Sequence, residues 1–446
     1  MSKQKRAHWS GKLGFILAAS GSAVGLGNIW KFPYMAGENG GGAFVLVYLA
    51  CIAIVGLPIL IAEIYIGREA QGNTVTAFES LHKPGTPWRF AGFLGLVSAV
   101  LILSFYSVVG GWILDFEVKS LLNQFAGHDD ETIKSYLGAL FNSPGTLLFW
   151  HSIFMAVTIG IVMGGVSKGI EKAAKILMPA LMILLLLLVF RVMAMDGFGQ
   201  SLSFLFSPDF SKLTSEAVLS AVGHSFFTLS LGMGAMITYG SYLEKNESII
   251  KIGITVAFLD TLIALVAGVV IFTVVFTFGQ EPGGGPSLMF VNLPLLFKEM
   301  TGGYFVSVGF FLLVAFAALT SAISLLEVVV AYVIEKFDLS RKKSTLLMGG
   351  FIYLLGIPCA LSFNILSDVK IMDKTFFDLF DFLTTNIFLP AGGMIIALYY
   401  GWVLGPKAVE ATFEKPGAGL AVSGLMWSVR IVAPAAVAWV LIKGLI

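Results

Sequence analysis

Eleven apolar runs, each long enough to cross the hydrocarbon core of a bilayer, occupy most of this 446-residue chain and leave few folds open to it. They lie at about 13–36, 42–66, 90–116, 147–166, 170–190, 217–239, 249–278, 304–334, 345–363, 376–401 and 420–442. In lipid every backbone N–H and C=O must find its partner inside the protein, so runs of this length are read as helices. With 57% hydrophobic and 12% charged residues, the chain is expected to be an all-α polytopic membrane protein surrounded by a lipid bilayer. A net charge of +1, with no basic stripe interleaved with aromatics, gives no footprint for nucleic acid. No linker or low-complexity tract divides the chain, and residues 1–446 are expected to form one membrane domain.

Placing the N-terminus in the cytoplasm puts Lys3, Lys5, Lys12, Arg68, Lys168, Lys172, Lys175, Lys336, Lys342 and Lys343 on the inner side, as the positive-inside rule prefers. An odd number of spans then sets the C-terminus outside, and the expected location is the inner (plasma) membrane of the cell. The polar, basic stretch 1–12 carries no small-residue cleavage site behind a short apolar core, so the first span is read as retained. Cys51 and Cys359 fall in apolar runs and are read as packing residues.

Two of the runs are interrupted. The first contains Ser20, Gly21, Ser22, Gly25, Gly27 and Asn28, and the sixth contains Ser230, Gly232 and Gly234. Non-helical backbone at membrane depth is tolerated only where it is buried in protein or lines a cavity, so the freed peptide groups are candidate ligands. The breaks stand five spans apart, which suggests an inverted repeat of about 11–195 and 216–402 with an extra helix at about 420–442. The plainer alternative is that the glycines only let helices approach closely. Asp260, among Phe258, Leu259, Leu262 and Ile263, is an acid that is costly at this depth unless it meets a cation. Isolated Thr and Ser residues within spans more often bond their own helix. No His-Glu-x-x-His, Gly-x-Ser-x-Gly or Walker pattern occurs, so an enzyme is not expected, and Glu63 is read as a buried helix-organising acid. A sensor would share every one of these features with a carrier, and only flux separates the two.

The run Gly21 to Tyr34, the segment Glu38 to Phe44, Gly56-Leu57-Pro58, Glu63 with Gly67-Arg68, Phe226 to Ser230, Ile237-Thr238-Tyr239 and Leu319-Thr320-Ser321 together resemble the neurotransmitter:sodium symporter family. The likeness extends over nearly the whole chain, and eleven spans with Gly232-Met233-Gly234 are similar to its bacterial members that carry hydrophobic and aromatic amino acids. It implies a LeuT-type fold, five-plus-five inverted repeats with broken helices 1 and 6 plus an eleventh helix. It also implies two sodium ions and no organic cofactor. One sodium would take the Ala23 carbonyl, Asn28, Thr228, Asp260 and the substrate carboxylate. The other would take carbonyls of Gly21, Val24 and Ala317 with the hydroxyls of Thr320 and Ser321.

The resemblance further implies that amides of Leu26 and Gly27, with the Tyr106 hydroxyl, receive a carboxylate, while carbonyls of Ala23, Phe227 and Thr228 and the hydroxyl of Ser230 receive an ammonium. Side-chain contacts would come from Ile102, Phe227, Met233, Ser321 and Leu325, suiting Leu, Ile, Met, Phe, Tyr or Trp. Gly25 stands where family members that carry decarboxylated monoamines have an aspartate. Many members bind chloride through a Ser one turn beyond the Asp260 position, where this chain has Ala264, so chloride-independent transport is expected. Gates are expected from Lys31 with Asp381 outside, and from Arg6 and Trp9 with Glu335 inside, braced by Tyr242. His224 is read either as a proton relay or as a hydrogen-bonded packing residue. Gly169 and Pro179 mark the fifth span as one that could unwind or simply kink.

Overall fold

The computed structural model describes residues 7–82, 85–283, 287–413 and 419–445. Among them the first predicted span is a bent pair, α1 (Lys12–Ala23) and α2 (Gly27–Glu38), whose axes differ by 48°. Then follow α3 (Gly42–Ala70), α4 (Arg89–Leu121), α5 (Pro144–Met163) and α6 (Val166–Val192), each long and apolar enough to cross a bilayer. The sixth predicted span is divided into α7 (Ser215–Thr228) and α8 (Ala235–Gly240), neither long enough to cross alone. The remaining spans are α9 (Ile249–Thr277), α10 (Gly303–Phe337), α11 (Arg341–Leu361), α12 (Phe376–Thr412) and α13 (Gly419–Gly444).

The split helices sit at the centre. α1 packs against α9 and α10, α10 packs against α4, and α7 and α8 both lean on α3. Side chains that face outward from this bundle, such as Phe190, Phe258, Phe305 and Leu354, are large and apolar, as a lipid-facing surface requires. Pro179 lies inside α6 without ending it, and the helix stays wound on both sides. Two connections between spans carry helices of their own, Asp130–Phe141 and Leu293–Glu299. In Asp130–Phe141 the Asp129 carboxylate caps the Thr132 amide, and Ile133, Tyr136 and Leu140 bury one face.

The first break is narrower than the stretch 20–28 suggested. Ser20 to Ala23 stay helical because their small side chains let α1 lie flush on α10; a Cβ added at Gly21 would come within 3.2 Å of the Thr320 Cβ. Helical geometry fails at Val24, whose φ and ψ are −69° and 99°. The second break needs left-handed backbone at Gly232 and Gly234, with φ of 78° and 76°, and holds Ser230 there too, at 55°. Peptide groups freed by the breaks find side-chain partners from elsewhere. The Gly232 amide donates to Glu63 Oε1 on α3 at 2.7 Å, and the Gly25 amide to Asn28 Oδ1 at 3.0 Å. Glu63 thus has the helix-organising position expected of it. Cys51 and Cys359 are buried and unpaired.

Candidate functional site

The two breaks face each other across a cavity. Ala23, Leu26 and Gly27 line it from the first break, Phe227, Ser230 and Met233 from the second, Ile102 and Tyr106 from α4, and Ser321 and Leu325 from α10. Of the residues expected to touch substrate, only Thr228 is not part of this wall. Ser22, Gly25 and Ser324 line it as well and were not in the expected set. Tyr106 is buried, its hydroxyl has no hydrogen-bond partner among the described residues, and it lies by the Leu26 backbone and Ser321. A Cβ at Gly25 would stand 3.3 Å from that hydroxyl and 2.5 Å from Ser321 Oγ, so the glycine keeps this end of the cavity open.

Thr228 points instead to a polar knot beside the cavity. Its Oγ1 donates to Asp260 Oδ1 at 3.0 Å and lies 3.1 Å from Oδ2, while Asn28 Nδ2 donates to Asp260 Oδ1 at 2.7 Å and to the Asp260 carbonyl at 2.9 Å. Helices α2, α7 and α9 therefore meet on one wholly buried carboxylate. Among the described residues no three His, Cys, Asp or Glu side chains gather as a metal site. A cation here would be held by one acid together with amide, hydroxyl and carbonyl oxygens, a hard-ligand set.

On the other side of α1, Gly21 abuts Thr320, and the Ala317 carbonyl accepts from Thr320 Oγ1 at 3.0 Å and Ser321 Oγ at 3.3 Å. Ser321 Oγ also reaches the Ser22 carbonyl at 3.1 Å. These hydroxyls thus make the own-helix bonds that isolated Ser and Thr usually make, and they still gather oxygens of α1 and α10 in one place.

The expected gates are arranged unequally. Lys31 and Asp381 form no ion pair; the Lys31 ammonium stands 4.7 Å from the centre of the Phe227 ring, and Asp381 accepts from Thr385 Oγ1 at 3.0 Å. Trp9 is buried, its Nε1 donates to the Tyr239 carbonyl at 3.0 Å, and its ring meets Tyr239 and Tyr242 edge-on. Glu335 receives the Asn73 amide at 2.9 Å and Asn73 Nδ2 at 2.7 Å. Arg6 lies outside the described residues. His224 packs against Phe32 and Tyr48, as the packing reading has it, but neither ring nitrogen has the hydrogen-bond partner expected among the described residues.

Sequence reasoning missed the ion pair beneath Tyr242. The Tyr242 hydroxyl donates to Glu327 Oε1 at 2.6 Å, and Glu327, fully buried, takes both Arg341 Nη1 at 3.0 Å and Nη2. Glu327 follows Leu325 and Leu326 and precedes Val328 and Val329, an acid in an apolar run like Asp260, so the same signal was present. A second missed contact ties the N-terminal segment down: Glu171, at the start of α6, accepts from the Ser10 amide at 3.0 Å and from its hydroxyl, and pairs with Lys175.

Comparison with known proteins decides the family. The sodium:neurotransmitter symporter family model matches residues 6–134 and 132–446. The chain belongs to the sodium:neurotransmitter symporter family. Its likeness to a solved member, MhsT in complex with L-phenylalanine, is close: TM-score 0.90 and 46% identity, covering 99% of this chain and 100% of that one. An uncharacterized sodium-dependent transporter of Bacillus subtilis, YhdH, is 41% identical over 399 residues, 90% of this chain and 88% of its own. Another, from Haemophilus influenzae, is 35% identical over 418 residues, 91% of each. As a member of this symporter family with the MhsT fold, the protein is a sodium-dependent transporter of the membrane, and both broken helices are features of that fold.

Proposed function

We propose that this protein is a symporter of hydrophobic and aromatic L-amino acids, driven by two sodium ions through alternating access and independent of chloride, with its N-terminus in the cytoplasm of the cell and its C-terminus outside. The reading is carried by one observation: a cavity walled by both helix breaks stands beside the Asn28, Thr228 and Asp260 knot. The amino end of α2 and the Tyr106 hydroxyl suit a carboxylate, and the backbone carbonyls around the second break suit an ammonium. Ile102, Phe227, Met233 and Leu325 supply an apolar wall, in which Met233 adapts to side chains of different size.

One sodium sits against Asp260, Asn28, Thr228, the Ala23 carbonyl and the bound carboxylate, so that its occupancy and that of the amino acid reinforce each other. The second joins the carbonyls of Gly21, Val24 and Ala317 to the hydroxyls of Thr320 and Ser321, fastening α1 to α10. The Asp260 charge stands in for a bound anion, and Ala264 offers chloride no hydroxyl. Trp9, the Tyr242 and Glu327 pair and Glu335 hold the inner face shut. Lys31 and Asp381 come together when the outer face closes, and α6 loosens between Gly169 and Pro179 when the inner face opens. Two charges entering with a neutral zwitterion release roughly 4.6 kcal/mol per 100 mV, about three decades of accumulation.

The test is flux. Proteoliposomes with an inward sodium gradient should accumulate labelled tryptophan or leucine, lose the accumulation to a sodium ionophore, and keep it when chloride is replaced by gluconate. Saturable binding without accumulation would make the protein a sensor, and loss of uptake in gluconate would overturn chloride independence.

A further inference from the structure

Arg430 is a charge inside the last apolar run that neither the cavity nor the gates employ. It stands on α13 between Val429 and Ile431, and it reaches α12, where one backbone donor is missing. Tyr399–Leu404 winds as a π turn, and the Gly405 amide donates five residues back to the Tyr400 carbonyl. The Gly401 carbonyl would next be served by residue 406, which is proline and has no N–H. Arg430 Nε supplies that bond at 2.8 Å. Gly401 leaves room for the side chain to pass, since an added Cβ would stand 3.0 Å from Arg430 Cγ. Ser428 Oγ donates to the Ile54 carbonyl of α3 and so fixes the rotation of α13 that aims Arg430 this way.

One neutral donor would serve that carbonyl, whereas a guanidinium brings five N–H groups and a full charge. The group lies 4.6 Å over the Trp402 ring, and Trp402 Nε1 donates back to the Arg430 carbonyl at 3.3 Å, so the two side chains hold each other in place. Among the described residues neither Nη has a hydrogen-bond partner, and no carboxylate pairs with the charge. Trp402 is 58% exposed, and Trp427, one turn earlier on α13, is 63% exposed, so the seat opens outward from the bundle. Its depth follows from α12. The Tyr400 hydroxyl and Thr412 Oγ1 lie 2.6 Å apart, which about 18 Å of straight helix would forbid, so the chain doubles back at Gly405, where φ is 71°. Gly401 lies about 6 Å to the membrane side of that turn, a depth from which an arginine reaches the headgroup layer.

We infer that Arg430, framed by Trp402 and Trp427, seats the headgroup phosphate of an anionic phospholipid, in the leaflet on the side of the protein where α1 begins. The planar fork suits two phosphate oxygens at once, and the indoles prefer the boundary between headgroups and acyl chains. An anionic lipid is favoured over a zwitterionic one, because the latter brings its own cation against the guanidinium.

The experiment titrates the purified full-length protein, in a neutral detergent, with phosphatidylglycerol and with phosphatidylcholine of the same acyl chains, and counts bound lipid by native mass spectrometry. The first phosphatidylglycerol should bind about fivefold more tightly than the first phosphatidylcholine. Arg430→Gln keeps a donor for the Gly401 carbonyl but loses the charge, and should weaken that first phosphatidylglycerol about tenfold or more; far-ultraviolet circular dichroism checks that the variant is folded. Equal binding of the two lipids, or an affinity that Arg430→Gln leaves unchanged, overturns the inference. Displacement of the lipid by millimolar inorganic phosphate also overturns it, since the seat would then serve a free anion. Should Arg430→Gln not fold, place decides. Phosphatidylglycerol carrying a nitroxide near its headgroup should quench the protein's tryptophan fluorescence less in Trp402→Phe than in the unaltered protein, and equal quenching overturns the inference.

Discussion

Replacing Asp260 by Asn tests the charge at the centre of the site with almost no change in shape. The carboxylate is wholly buried and receives Asn28 Nδ2 at 2.7 Å and Thr228 Oγ1 at 3.0 Å. With its amide oxygen at the Oδ1 position an Asn side chain keeps both of these bonds and puts its NH2 where Oδ2 stood, 3.1 Å from Thr228 Oγ1. A cation about 4 Å from the carboxylate charge loses about 4 kcal/mol of attraction at an effective dielectric constant near 20. Part of that returns, because a neutral amide is less costly to bury than an ion. The net expectation is about 3 kcal/mol, on the order of a hundredfold in sodium affinity at this position. Tryptophan binding by Asp260→Asn, measured against sodium concentration in gluconate, should show the half-saturating sodium raised by that factor, with chloride recovering part of the loss. The second sodium site proposed above, which shares no side chain with Asp260, should persist and lower the steepness of the curve rather than abolish binding. Unchanged sodium dependence in gluconate would refute the reasoning, since it would mean that no cation feels this charge.

Three further outcomes follow from the geometry. Gly25→Ala places a Cβ 2.5 Å from Ser321 Oγ and 3.3 Å from the Tyr106 hydroxyl, so amino-acid affinity should fall about tenfold or more from overpacking of about 1–3 kcal/mol; titration with labelled leucine checks it. Glu327→Gln leaves Arg341 without its buried counter-charge and should cost about 3 kcal/mol, read as a lower unfolding midpoint in detergent, whereas an unchanged midpoint would show that the pair is not under strain of desolvation. Trp9→Ala removes the Nε1 bond to Tyr239 and three edge-on ring contacts, so a cysteine placed at Ala18 should react about tenfold faster with a water-soluble maleimide as the inner face opens more often.

The spans and the two breaks were legible along the chain because each rests on a local property, whereas the cavity wall was expected from the family resemblance. A run of twenty apolar residues has only the helix available to it in lipid, and glycines with small polar residues inside such a run are a visible exception. Asp260 was legible for the same reason, and Glu327 would have been had the rule been applied evenly. Lys31 and Asp381 show the limit. The resemblance made them an outer gate, whereas here the ammonium lies over Phe227 and the carboxylate turns to Thr385. Arg341 was less visible still, because only the packing of α11 against α10 brings its guanidinium to Glu327.

Ser22 and Ser324 mark the division most clearly. That both are serines inside apolar helices is written in the chain, and so is the fact that a serine there needs a partner. Which oxygen receives each proton was decided only when α1 and α10 came together: Ser22 Oγ donates to Ser324 Oγ at 2.7 Å, and Ser324 Oγ onward to the Ser321 carbonyl at 2.8 Å. Apolar length and helix breaks are set by neighbours along the chain, whereas the direction of a hydrogen bond depends on which oxygens stand within about 3 Å in space.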